Sequence, residues 1–178
     1  MIRRVVTSLA AAALAVGLVG CGNGDSAPTQ PSEATAGEPG TCEAVARAKC
    51  RGVDLTGADL SGRDLSGIDL RSANLVGANL AGANLADANL IGADLSKADL
   101  SNAALVRAAL DDAVFADANL TGARLTSAKA IDAVFEGATL VDVFATDANF
   151  TGATGGDFTT VFACNTTMPD GEVAEPSC

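Results

Sequence analysis

Residues 53–92 read VDLTG ADLSG RDLSG IDLRS ANLVG ANLAG ANLAD ANLIG, a period of five that continues, with decay, to ANFTG at residues 148–152. The period excludes a regular helix, because leucines five apart advance about 500°, roughly 140° net, and no face stays apolar. It also excludes a single long strand, because five is odd and successive leucines would alternate faces. Within one repeat, the small residue and the leucine are two apart and share a face. The pattern closes if each repeat is a short extended piece followed by a corner that turns the next leucine inward. Glycine recurs at the last position, where a tight corner needs a residue free of Cβ strain. Tandem repeats of this kind wind into a solenoid filled by alanine and leucine.

The motif resembles the A(D/N)LXX unit of the pentapeptide-repeat family over about residues 48–163. The resemblance implies an all-β fold: a right-handed quadrilateral β-helix with four repeats per coil, hence about five coils between Leu55 and Phe150. Stacking every fourth repeat puts Phe115 directly under Phe135. Arg63 occupies an inward position and is expected to bend outward or to meet a neighbouring Asp. In Val143-Phe144-Ala145 the large residue comes one position early, which predicts either a bulge or an outward Phe144. The spacing from Phe150 to Phe158 is eight, and Gly155-Gly156 is the natural place for the register to break.

Outside the repeats the chain divides into clear segments. Arg3 and Arg4 precede an uncharged Val5–Val19 stretch that ends in Leu18-Val19-Gly20-Cys21. Residues 1–20 have the layout of a secretory signal, and Leu-Val-Gly-Cys resembles the lipobox of bacterial lipoproteins. That resemblance implies acylation of Cys21, cleavage after Gly20 and a cell-membrane location on the extracytoplasmic side. Residues 21–41 then hold the lipidated cysteine and a Gly/Pro/Ser/Thr-rich linker without apolar period. Residues 42–52 are expected to cap the solenoid, with Glu43–Lys49 as a short helix. The β-helix itself is placed at 53–163 and a disulfide-closed tail at 164–178.

Apart from Cys21, the cysteines are Cys42, Cys50, Cys164 and Cys178. Four cysteines allow three pairings. Bonds between opposite ends would have to cross the rod, which favours Cys42–Cys50 and Cys164–Cys178. Cys50 falls on the leucine position, so its sulfur is expected inside. The rival is metal binding, disfavoured by the lack of CxxC spacing.

The chain has no His, Trp or Tyr and a formal charge of −11. The commonest general base is therefore missing, and an acidic surface repels nucleic acid phosphates. Carboxylates are plentiful, but on a convex lattice they meet no cleft that would perturb them. Asp and Asn before each leucine stack as columns such as Asp59–Asn79–Asp99–Asn119. Such columns are read as hydrogen-bonded ladders rather than calcium sites. The pattern is interrupted at Ala104, Ala109 and Val114; with Val106, Val134 and Phe144 these form the candidate interaction surface. The reading is a non-enzymatic, lipid-anchored scaffold or protein-interaction module, monomeric, without cofactor or metal, its protein partner unknown. Two alternatives stand beside it: a calcium-binding envelope protein and, if the chain is cytoplasmic, a DNA mimic that binds DNA gyrase, as the resemblance implies for some family members.

Overall fold

Each repeat makes the same turn. The leucine carbonyl accepts the N–H of the third residue on, as from Ala78 to Leu75 at 3.0 Å, with Gly77 between them at φ +65°. That positive φ at the third turn position is the reason glycine recurs there. Asp, Asn, Ser, Lys and Arg take the same left-handed corner elsewhere, as at Asp87 and Lys97. The computed structural model describes residues 42–174, all within one compact unit.

Successive coils are joined by parallel rungs twenty residues apart, so four repeats complete one turn of a right-handed quadrilateral β-helix. The four faces, A to D, begin at Lys49, Asp54, Asp59 and Asp64. Face A carries seven rungs (49 to 167), B six (54 to 154), C five (59 to 139) and D six (64 to 162), nearly six coils rather than five. Only on face B do two neighbouring residues pair, in β1 (Val134–Phe135) and β2 (Thr154–Gly155). Around each rung the backbone bonds both ways: Asn74 N–H donates to Val53 O, and Leu75 N–H to Asp94 O.

The interior is a column of leucine and alanine. From Leu65 to Ala133 every leucine and nearly every small position is sealed from solvent. Each buried leucine contributes on the order of 1.5–3 kcal/mol. Phe115 and Phe135 stack with centroids 4.9 Å apart and planes within 1°. Arg63 is exposed, as its misfit with the core requires.

The N-terminal cap differs from expectation. Residues 43–49 form no helix. Arg47 takes the left-handed corner at φ +61°, its N–H donates to Ser66 O, and Lys49 pairs with Asp69. The segment therefore already belongs to the solenoid, whose sheet bonds outcompete the local helix propensity. Cys50 is buried, and a disulfide joins it to Cys42 with Cα atoms 5.5 Å apart. At the other end the register breaks at Gly155-Gly156. The rungs Phe144–Phe162 and Asn149–Thr167 span eighteen residues, so the last coil is two residues short. In place of a face C rung, a 3-10 turn at Phe158–Thr160, N-capped by Asp157, lays Phe158 against Phe135 and Phe150 at 5.7 and 5.1 Å. The chain then folds back as a hairpin, with Thr167 pairing antiparallel with Val173.

Candidate interaction surface

The outward Asp and Asn residues hold the lattice together. Asn79 donates to Asp59 Oδ1 at 3.1 Å, Asn84 to Asp64 at 3.0 Å and Asn119 to Asp99 at 3.2 Å, each across one coil. Their side-chain oxygens also accept the N–H two residues on, as from Ala81 to Asn79. With both donors and acceptors engaged, these columns are structural ladders. No group of His, Cys, Asp or Glu that would hold a metal ion occurs among the described residues.

In the first coil the pattern is D-L-T/S, and the hydroxyl two positions on bonds the carboxylate: Thr56 to Asp54 at 2.6 Å and Ser61 to Asp59 at 2.7 Å. These hydroxyls, first among the causes, hold Asp54, Asp59 and Asp64 below the usual carboxylate range. Asp69 is lowered mainly by its bond from Arg71, and Asp87 by the bond from Arg107 one coil later. The Arg107–Asp87 pair is bidentate, at 2.7 and 2.6 Å, and links two corners.

The six residues singled out from sequence do not form one strip. Ala104 and Phe144 lie on face D with Arg124 between them, Ala109 on face A, and Val114 and Val134 on face B, where they pair directly. Val106 sits at the corner that follows face D. All except Phe144 are half-buried. The exposed apolar surface gathers instead at the last rungs of face D. Phe144 is 47% exposed and Phe162 53%, with ring centroids 5.0 Å apart and planes 18° apart. Val141, at the preceding corner, is also exposed. Phe144 thus points outward, and no bulge is needed: Val143 and Ala145 on either side are buried. Beside this apolar pair stand exposed Asp142 and Asp147, the latter bonded by Asn165 at 2.6 Å. Exposed Arg124, one rung earlier, has no ion-pair partner among the described residues.

Sequence reasoning missed Phe162. A strict period pairs residue 144 with 164; only the shortened last coil puts Phe162 there. The eight-residue spacing from Phe150 to Phe158 was the available signal. Of the cysteines, Cys164 is disulfide-bonded, while Cys21 and Cys178, with the whole signal and linker reading, lie outside the described residues.

Four faces, one rung per face and a Leu/Ala interior define the class of quadrilateral β-helix proteins. The profile of the pentapeptide repeats matches residues 64–102 and 93–129, with eight copies. Among solved structures, the pentapeptide repeat protein Rfr23 from the cyanobacterium Cyanothece 51142 is 26% identical, at a TM-score of 0.53 over 62% of this chain and 92% of that one. QnrB1, a plasmid-mediated fluoroquinolone resistance protein, is 22% identical at a TM-score of 0.55, over 63% of this chain and 60% of its own, a likeness of fold alone. No curated protein matches the sequence. The chain thus carries pentapeptide repeats over residues 64–129, in the fold that Rfr23 shares.

Proposed function

We propose that this chain is an exported, lipid-anchored protein-interaction module on the extracytoplasmic side of a bacterial cell membrane, held there through Cys21 and contacting its partner through the end of face D. The observation that carries the interaction reading is the exposed Phe144–Phe162 stack, at positions that most other rungs fill with a polar or charged residue and the rest with half-buried Ala or Val. Exposed aromatic pairs of this kind have a free-energy cost in water that burial against another protein removes. Export is supported by the uncharged stretch ending in Leu18-Val19-Gly20-Cys21, and by the Cys42–Cys50 bond, which an oxidising compartment preserves. Among the described residues no helix is long and apolar enough to cross a membrane. Residues 22–41 would act as the tether.

The test is membrane fractionation and intact mass of the native protein beside a Cys21→Ala variant. Acylated, membrane-bound native protein and an unacylated variant are the expected result. A native protein that is soluble, unprocessed and cytoplasmic overturns the reading and moves DNA mimicry to the front.

A further inference from the structure

The last four rungs of face D are Ala104, Arg124, Phe144 and Phe162. Earlier rungs of the same face, Asp64 and Asn84, are polar and bonded to each other. From Ala104 onward the face therefore changes character: a small residue, a cation without an ion-pair partner among the described residues, and two exposed rings, at rungs about 4.8 Å apart. Read in the opposite direction the series is its own complement. An antiparallel copy, related by a two-fold axis that lies in the plane of contact, perpendicular to the solenoid axis and midway between the Arg124 and Phe144 rungs, sets each Phe162 over the other copy's Ala104 and each Arg124 over the other's Phe144.

Both matches have a physical basis. The bulk of Phe162 meets the one rung with almost no side chain. The aliphatic stem of Arg124 covers an exposed ring, as long cationic side chains do. Its guanidinium then lies between the carboxylates at the two corners beside that ring, Asp142 and Asp147, both exposed. A two-fold contact repeats each match, so one complementary pair counts twice. In a parallel arrangement the same faces would set Phe against Phe and Arg124 against Arg124, which wastes the small rung and opposes like charges.

We propose that a second copy of this chain is the occupant of face D, as an antiparallel, face-to-face homodimer. The inference rests on the interaction reading above and replaces the sequence expectation of a monomer. Four rungs of one narrow face cover far less than the roughly 800 Å² per partner of a standard interface. The dimer is therefore weak in dilute solution and strengthened where tethering confines both copies to one membrane plane.

Sedimentation velocity of the full chain in non-ionic detergent, from micromolar to about millimolar concentration, tests it. The expected result is a concentration-dependent monomer–dimer equilibrium. Arg124→Glu and Ala104→Trp, both at outward positions, should each weaken it at least about tenfold, while Val114→Asp on face B leaves it unchanged. A photo-crosslinker at position 104 should label the peptide that contains Phe162 of the other copy. A monomer throughout the range, or a dimer indifferent to Arg124→Glu and Ala104→Trp, overturns the proposal, as does crosslinking of position 104 to itself. Fractionation keeps the two readings apart. A membrane-bound, acylated monomer sinks the dimer alone, and a soluble, unacylated dimer sinks the anchoring alone.

Discussion

The two ends of the solenoid solve the same problem by different means. Any open β-helix leaves a ring of unpaired backbone groups and the cut end of its core. At the N-terminal end the outermost rungs are Lys49, Asp54, Asp59 and Asp64, one charged residue on each face. Below the three aspartates no rung exists among the described residues. At the C-terminal end no outermost rung is charged. Face A is closed by the antiparallel Thr167–Val173 pair, and face C by the 3-10 turn that seats Phe158 on Phe135 and Phe150. Thr166 is buried there, its hydroxyl donating to the carbonyls of Ala145 and Cys164. One end is guarded by charge and the other by covering it. The next coil inward from the aspartates carries Asn74, Asn79 and Asn84, where charge would only repel its neighbours.

This contrast predicts where stability resides. Removing an aromatic from the covered end should have the largest effect: Phe135→Ala leaves a cavity among Phe115, Phe150 and Phe158 and should cost about 3–5 kcal/mol. Leu55→Ala at the charged end, already half-buried, should cost about 1 kcal/mol. Urea denaturation of both checks this, and equal losses would show that the two ends are packed alike. Next in size is the staple at the N-terminal end. Replacing both Cys42 and Cys50 by Ala should cost about 2–3 kcal/mol from the short loop it closes. Hydrogen exchange should place that loss in the first coil, because solenoids fray from their ends.

The register break gives a finer comparison. Gly77 and Gly155 share φ +65°. An added Cβ meets nothing within 4 Å at Gly77, but lies 2.6 Å from Glu136 N at Gly155. Gly77→Ala should therefore cost only the left-handed strain, about 1–2 kcal/mol, and Gly155→Ala clearly more, since backbone must move. Thermal melts of the pair measure the difference, and equal shifts would mean that the break is pliable.

Charge guarding makes a prediction about association rather than stability. The triple variant Asp54→Asn, Asp59→Asn, Asp64→Asn should stay folded yet associate end to end as concentration rises, seen by light scattering. A variant that stays as dispersed as the parent would show that charge is not the guard. The smallest effect concerns acid. Asp54, Asp59, Asp64, Asp69 and Asp87 all have folded-state values lowered from 3.8. Their contribution is full above that value and is lost as pH falls through the lowered values. The urea midpoint should thus be flat from about pH 7 to 5 and decline only below about pH 4. Because these carboxylates are exposed or nearly so, the decline should be shallow.

Much of this was legible before any coordinates. The outward Arg63 and the break at Gly155-Gly156 follow from counting in fives, and the Phe115–Phe135 stack from the four repeats per coil that the family resemblance implies. The failures have definite causes. Glu43–Lys49 carries good helix formers, but the bonds that Arg47 N–H donates to Ser66 O and that Ala48 O accepts from Asp69 N–H tie it to the following coil and override a preference of tenths of a kcal/mol per residue. In the candidate surface only Val114 and Val134, expected to stack on one face, meet directly; Ala104 and Ala109 joined them merely as further interruptions of the acidic pattern. Adjacent repeats, however, lie on adjacent faces, and residues become neighbours on one face only twenty apart.

The sequence by itself determined that the chain winds rather than runs straight, what fills its interior, and that its surface is acidic. Those follow from a five-residue period, the sizes of leucine and alanine, and the count of charges. The tertiary structure decided which outward residues meet. A repeat specifies that the chain turns at each corner, but the position of the final rungs depends on how many residues the last coil spends. There half-buried Phe158 packs against the end of the core and the coil closes two residues early, which brings Phe162 onto Phe144. No local pattern contains that contact, because packing at the end of the core creates it.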